Sequence, residues 1–158
     1  MAFDQREFRT ALGQFATGIT VVTARASDGD LLGVTVNSFN SVSLDPPLIL
    51  FSLERRAMSL PAFEGAGSFA VNILSESQTN LSQNFARTQG DKWHGIAFDC
   101  WETGSPILRG CLAAFDCRTY AIHDGGDHRV FIGEVLRFEA QSEGTPLLYF
   151  RGSYTTLR

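Results

Sequence analysis

The sequence predicts a mainly β, antiparallel barrel carrying a few short helices, folded as one domain over residues 1–158. Three observations predict it. Six or seven short segments are rich in the β-branched and aromatic residues that favour strands. Only one or two segments have helical periodicity. Strand and helix patterns do not alternate, so a parallel α/β sheet is not expected, and the chain has no GxGxxG phosphate loop. With 158 residues, 44% of them hydrophobic, the chain is long enough to bury one sizeable core.

Asp4 is placed to cap a first helix, whose Phe8, Leu12 and Phe15 recur at i, i+4 and i+7 on one face. Gly13 weakens that helix and Thr17-Gly18 ends it. Residues 19–24 (ITVVTA) are strand-like; Asp28-Gly29-Asp30 then turns the chain back through residues 31–36, predicting a hairpin. Residues 38–44 read as a hydroxyl-rich, irregular connection stiffened at its exit by Asp45-Pro46-Pro47. Residues 48–53 (LILFSL) are apolar throughout, the pattern of a strand covered on both faces. A short helix is expected over residues 56–63, with Pro61 tolerable only in a first turn or as a break.

Residues 69–74 (FAVNIL) are a further strand, and residues 75–87 a polar-capped helix with Leu81 and Phe85 turned inward. Residues 88–106 read as a long surface excursion carrying both tryptophans. Residues 111–122 and 129–140 are long strands around a Gly- and Asp-rich turn at 123–128, and residues 147–154 are the last strand.

A net charge of −4 argues against a nucleic-acid protein, which would normally present a basic face. No basic amphipathic segment suggests a membrane surface, and the longest apolar run, residues 46–51, is far short of a span. The N-terminal stretch lacks the apolar region of a signal peptide. Cys100, Cys111 and Cys117 are odd in number and without a CxxC pair, so they read as reduced thiols of a cytoplasmic protein.

The densest polar constellation is Thr35, Asn37, Ser38, Asn40, Ser41 and Ser43, within residues 33–47 (GVTVNSFNSVSLDPP). An irregular strand with backbone donors to spare and short hydroxyl or amide side chains suits a flat heterocycle such as isoalloxazine, with its row of carbonyl and ring-nitrogen groups. The same composition also describes an ordinary bend of Asx and ST turns. Residues 52–59 (SLERRAMS) put two arginines and two serines at a strand-to-helix junction, an arrangement suited to a phosphate or, alternatively, to a solvated charge pair. His123, Asp124, Asp127 and His128 admit three readings: a metal-dependent hydrolase centre, a plain hairpin turn, or a histidine that contacts a nicotinamide. No GxSxG elbow supports a serine hydrolase.

The order of these motifs resembles the short-chain flavin reductase family, the reductase components of two-component flavin-dependent monooxygenases. The likeness runs from FRTALGQFATGITVVTA through GVTVNSFNSVSLDPPLILFSL and GSFAVNIL to SQNFA with DKW following. It continues through GGDHRVFIGEV and ends in PLLYFRGSY. The resemblance implies a six-stranded antiparallel Greek-key split β-barrel, a homodimer, and NADH or NADPH as reductant of FMN or FAD. It also implies a partner oxygenase that receives the reduced flavin.

Carried over by position, Thr35, Asn37 and Ser38 would line the flavin ring and ribityl chain. Ser52, Leu53, Arg55, Arg56 and Ser59 would lie near its phosphate. Asn72 and Phe85 would border the same pocket, His128 would contact the nicotinamide, and Tyr149, Arg151 and Tyr154 would close the site. No metal is implied. Two positions depart from the family pattern: Arg56-Ala57, where small or hydroxyl residues are usual, and Asn37, where Ser or Ala is. A non-enzymatic flavin-binding carrier or sensor on the same barrel is the alternative.

Overall fold

The computed structural model describes residues 2–158. In chain order the elements are α1 (Gln5–Leu12), β1 (Thr17–Gly18), β2 (Thr20–Arg25), β3 (Leu31–Val36), β4 (Asn40–Leu44), β5 (Pro47–Glu54), α2 (Leu60–Ala66) and β6 (Ser68–Ile73). A 3-10 turn (Glu76–Gln78) leads into α3 (Thr79–Ala86), followed by β7 (Phe98–Cys100), β8 (Pro106–Leu108), β9 (Ala113–Gly125), β10 (His128–Ala140), β11 (Leu148–Phe150) and β12 (Ser153–Thr155).

The principal sheet is antiparallel, in the order β3-β2-β6-β9-β10-β5-β4. It has seven strands where six were expected. The additional one is β4: residues 40–44, read from sequence as an irregular connection, pair with β5 from Asn40↔Leu50 to Leu44↔Pro47 around an irregularity at Ser41/Ser43. An edge strand needs only one partner, so a hydroxyl-rich segment can fill the place. No ladder joins β3 to β4, and the sheet is not closed by backbone pairing among the described residues.

The sheet nevertheless coils around one core. Val22 and Ala24 from β2 share a cluster with Phe51 and Leu53 from β5, Phe69 and Val71 from β6, and Phe131 from β10. Leu60 and Phe63 of α2 pack into the same cluster. Alternate residues of β2 face the other way, where Ile19 and Val21 meet Leu74, Phe85, Leu108 and Leu147. Thus β2 is covered on both faces, one by the coil's interior and one by α3 and the C-terminal segment.

The hairpin expected from residues 19–36 is present, with Thr20↔Val36 through Arg25↔Leu31 in register. The helix expected from residue 56 begins only at Leu60, with Pro61 in its first turn. The single last strand is instead a tight hairpin, β11–β12, turned at Arg151-Gly152 with φ of 51° and 77°. Helix α1 is capped by Asp4, whose carboxylate accepts from Arg6 N–H at 2.7 Å and Glu7 N–H at 3.2 Å. Its expected apolar face is uncovered, with Phe8, Leu12 and Phe15 all exposed. No helix among the described residues is long and apolar enough to cross a membrane.

Candidate functional site

Strand β3 ends the sheet order, so its outer edge carries backbone N–H and C=O groups that no ladder uses. That stretch, residues 33–38, borders a chain of three hollows. The largest, about 710 Å³, reaches from Gly33–Thr35 to Arg56, Ser59, Phe85 and Lys92. The next, about 320 Å³, is walled by Val34–Ser38, Ser52–Glu54, Ala57 and His128. A third, about 220 Å³, lies between Thr35–Asn37, Ser82, Tyr149 and Tyr154. Thr35 lines all three, so they form one groove along one strand edge.

The walls are held by specific bonds. Thr35 Oγ1 donates to Ser82 O at 2.6 Å, fixing β3 on α3. The Ser82 and Tyr154 hydroxyls lie 2.9 Å apart, and Tyr154 packs edge-on to Tyr149, which together anchor the C-terminal hairpin to the same helix. Ser38 Oγ accepts from Ser52 N–H at 2.9 Å and donates to Ser52 O at 3.1 Å, a clasp between the exit of β3 and β5. The Ser38 hydroxyl proton is therefore spent inside the protein, and this position has backbone groups and one remaining oxygen lone pair to offer a ligand.

His128 stands at the start of β10, directly across from Glu54 of β5. Its Nδ1 lies 2.7 Å from Asp127 Oδ1. That hydrogen bond is the first cause of an Asp127 pKa below the ordinary carboxylate range. A carboxylate has no proton to give, so Nδ1–H is the donor in this bond and the ring is oriented with Nε2 away from Asp127.

The two arginines of the SLERRAMS segment part company. Arg55 Nε donates to Gly126 O at 2.8 Å, its guanidinium pairs with Asp124, and its backbone N–H donates to Asp127 O at 2.8 Å. Arg129 also pairs with Asp124, and these bonds hold the Asp124 pKa below its usual range. Arg55 thus braces the turn that presents His128 and does not line the groove. Arg56 does line it, beside Ser59. The seven-residue α2 starts after Ser59 with no side-chain cap, so any anion held there relies on the guanidinium rather than on a helix end.

Asn72 also lies outside the groove. It is fully buried on β6, where Nδ2 donates to Val21 O at 3.0 Å and Thr23 Oγ1 at 3.2 Å, while Oδ1 accepts from Leu108 N–H at 2.9 Å. Its amide docks β8 onto the sheet one layer behind the groove. Arg151 borders a separate hollow of about 480 Å³ shared with Asn37, Tyr149 and α1.

Sequence reasoning gives no site role to Ser82, Arg87, Lys92 and Trp93, which line the walls, whereas Gly33, Glu54 and Ala57 fall inside the 33–47 and 52–59 segments it singles out. The one available signal was the Asp91-Lys92-Trp93 motif, which reads by default as surface packing. Lys92 Nζ in fact donates to Gly33 O at 3.2 Å and Phe85 O at 3.3 Å, pinning residues 87–93 across the groove. No three His, Cys, Asp or Glu side chains gather as a metal site among the described residues.

Comparison with known proteins fits this geometry. The model of the flavin reductase like domain matches residues 12–158. The chain is similar to the FMN reductase (NADH) SmoA of Agrobacterium fabrum, with 46% identity over 96% of this chain and 85% of that protein. It is also similar to the reductase subunit HsaB of a flavin-dependent monooxygenase of Rhodococcus jostii, with 44% identity over 98% and 78%. Among solved structures, a homolog of nitrilotriacetate monooxygenase component B from Mycobacterium thermoresistibile superposes with a TM-score of 0.93. It is 43% identical, over 98% of this chain and 87% of that one.

Proposed function

The chain belongs to the flavin reductase-like domain family, and on that premise we propose that the groove along β3 is where its flavin lies. The protein is an NAD(P)H:flavin oxidoreductase. The observation that carries the site assignment is the unladdered edge of β3 running the length of the groove. A flat ring system with polar groups along one edge needs such a row of backbone partners beside an apolar wall, and Val34, Val36 and Leu53 supply the wall. A flavin held there would supply the hydride-accepting chemistry, with the reduced nicotinamide as hydride donor.

The chain's own residues hold and orient. The backbone of residues 34–38, with Thr35, Asn37, Ser38, Ser52 and Leu53 around it, receives the ring, and its N–H groups stabilise electron density on the ring's polar edge. Arg56 and Ser59 take the phosphate end, Phe85 supplies apolar wall, and Tyr149 and Tyr154 close the far end. Arg55, Asn72 and Arg151 act from behind, positioning the histidine turn, the sheet and the C-terminal hairpin. His128, braced by Asp127 and the Arg55–Asp124–Arg129 network, meets the nicotinamide at the groove's open side.

The activity is tested by following NADH and NADPH oxidation with FMN, FAD and riboflavin; absence of oxidation in every combination would overturn it. His128→Ala is expected to lower kcat/KM for the coenzyme about tenfold, the worth of one polar or stacking contact, with a much smaller change in flavin Kd. Full turnover by the variant would remove the histidine from the coenzyme site.

The finer architecture is read as a six-stranded Greek-key split barrel made of β2, β3, β5, β6, β9 and β10. The Ser38–Ser52 clasp supports it by bringing the two distant strands β3 and β5 together. The uncovered apolar face of α1 supports a homodimer; a monomeric mass at micromolar concentration in sedimentation would refute it. Reduced flavin is passed to a flavin-dependent oxygenase, as the named role of the similar monooxygenase reductase subunit suggests. Three unpaired cysteines suit the cytoplasm, and recovery outside the cytosolic fraction would contradict that placement.

A further inference from the structure

One cluster of charged side chains lines none of the hollows described above. Four alternating charges, Glu64, Arg129, Asp124 and Arg55, run from α2 to the exit of β5. Arg129 bridges two elements: its Nε donates to Glu64 Oε1 at 3.1 Å and its Nη1 to Asp124 Oδ1. The Arg129 side chain is 23% exposed and that of Glu64 36%, so their pair is screened less than an open surface pair. Glu64 sits in the last turn of α2, where the helix dipole disfavours an anion, so the helix itself gives no reason for its place. What α2 offers is a firm seat, because Leu60 and Phe63 pack into the core beside Phe51.

The other end of the network is the turn that carries His128. Gly125 and Gly126 lie in that turn, the second with a φ of 68°, and glycines leave a turn more backbone freedom than other residues do. The bond from His128 Nδ1 to Asp127 cannot hold the ring alone, since the Asp127 side chain is 92% exposed and water competes for such a pair. What holds Asp127 is Arg55, whose backbone N–H donates to Asp127 O and whose Nε donates to Gly126 O, both at 2.8 Å. Arg55 is held in turn by Asp124, and Asp124 by Arg129. The chain of bonds that starts at His128 therefore ends on Glu64, on a helix seated in the core.

We propose that Glu64 is a positioning residue for the reaction: through Arg129 and Asp124 it fixes the turn that aims His128 into the groove. The inference rests on the coenzyme role given to His128 above. Glu64 lines none of the three hollows of the groove, so its removal takes away no wall of the site. Without it, Arg129 keeps only Asp124, and the turn loses its tie to α2. The histidine then samples more orientations, and fewer of them meet the nicotinamide.

The test is a double-mutant cycle of Glu64→Ala with His128→Ala, read as kcat/KM for the coenzyme at saturating flavin. With His128 present, Glu64→Ala is expected to lower kcat/KM about three- to fivefold, the worth of a partly screened ion pair. With His128→Ala it is expected to change kcat/KM by less than about 1.5-fold, because the ring it positions is gone. Flavin Kd is expected to stay the same throughout. Glu64→Asp, which keeps a carboxylate within reach of the long Arg129 side chain, is expected to restore most of the loss. Equal losses in the two backgrounds would overturn the proposal, since Glu64 would then act independently of His128. No loss with His128 present, a parallel weakening of flavin binding, or a Glu64→Asp variant no better than Glu64→Ala would overturn it too. The reading beneath it fails differently: full turnover by His128→Ala alone removes the histidine from the coenzyme site.

Discussion

Phe51→Ala is expected to lower the free energy of unfolding by about 3–5 kcal/mol, a large fraction of the stability of a single domain. Phe51 is completely buried at the middle of β5, opposite Phe131 of β10. Its ring stacks on Phe131 at a centroid distance of 4.8 Å and meets Phe69 edge-on at 4.9 Å, with Phe63 of α2 at 6.2 Å. These neighbours sit on two other strands and a helix, each fixed by its own hydrogen bonds, so the walls cannot close over the space left behind. The lost burial and the unfilled cavity therefore add. Urea titration of the variant beside the wild-type chain measures the loss. A value below about 1 kcal/mol would mean that the three neighbouring rings repack into the space and close the cavity. Phe51→Leu, which keeps most of the volume, is expected to lose less than half as much.

What could be read from the sequence depended on how local the cause was. The β2–β3 hairpin was legible because β-branched residues flank an Asp-Gly turn, and the same few residues decide both strands and their register. Strand β4 was not, because its identity comes from β5 alone; nothing in Asn40–Leu44 distinguishes an edge strand from a bend. The start of α2 was misplaced by four residues, since residues 56–59 form a turn and the helix begins beside Pro61.

The site divides in the same way. Thr35, Asn37 and Ser38, which the resemblance carries over to the ring, do line one hollow together, because they follow one another along a single strand edge. Arg55 and Arg56 are adjacent in sequence and chemically alike, yet only Arg56 reaches the groove. The difference lies in the β9–β10 turn, some seventy residues on, which supplies Asp124 and Gly126 as partners for Arg55. Lys92 was missed because its purpose is a tether to Gly33, and a contact across 59 residues leaves no trace in local composition.

Gly33→Val is expected to cut flavin reduction about a hundredfold, the usual penalty when an otherwise intact site is displaced by about an ångström. The backbone of Gly33 is not left-handed, so the position asks for glycine on grounds of space alone. Even a Cβ there would lie 2.5 Å from Phe85 Cδ1 and 3.2 Å from Trp93 Cζ2. Phe85 is fully buried, with Trp93 edge-on at 4.9 Å and Phe98 beyond it at 5.5 Å from the indole, so the ring has nowhere to swing. The strand must move instead. Moving it breaks the bond from Lys92 Nζ to Gly33 O and strains the one from Thr35 Oγ1 to Ser82 O, the two ties that hold the open edge against α3. The edge proposed to receive the ring is thereby displaced, and overpacking adds about 1–3 kcal/mol of lost stability. Comparing kcat/KM and flavin Kd with the unfolding midpoint separates the two effects. Shaving the obstructing ring, as in Gly33→Ala with Phe85→Leu, is expected to recover more activity than Gly33→Ala alone. If the double variant were no better than the single one, steric conflict with Phe85 would not be what excludes a side chain at this position.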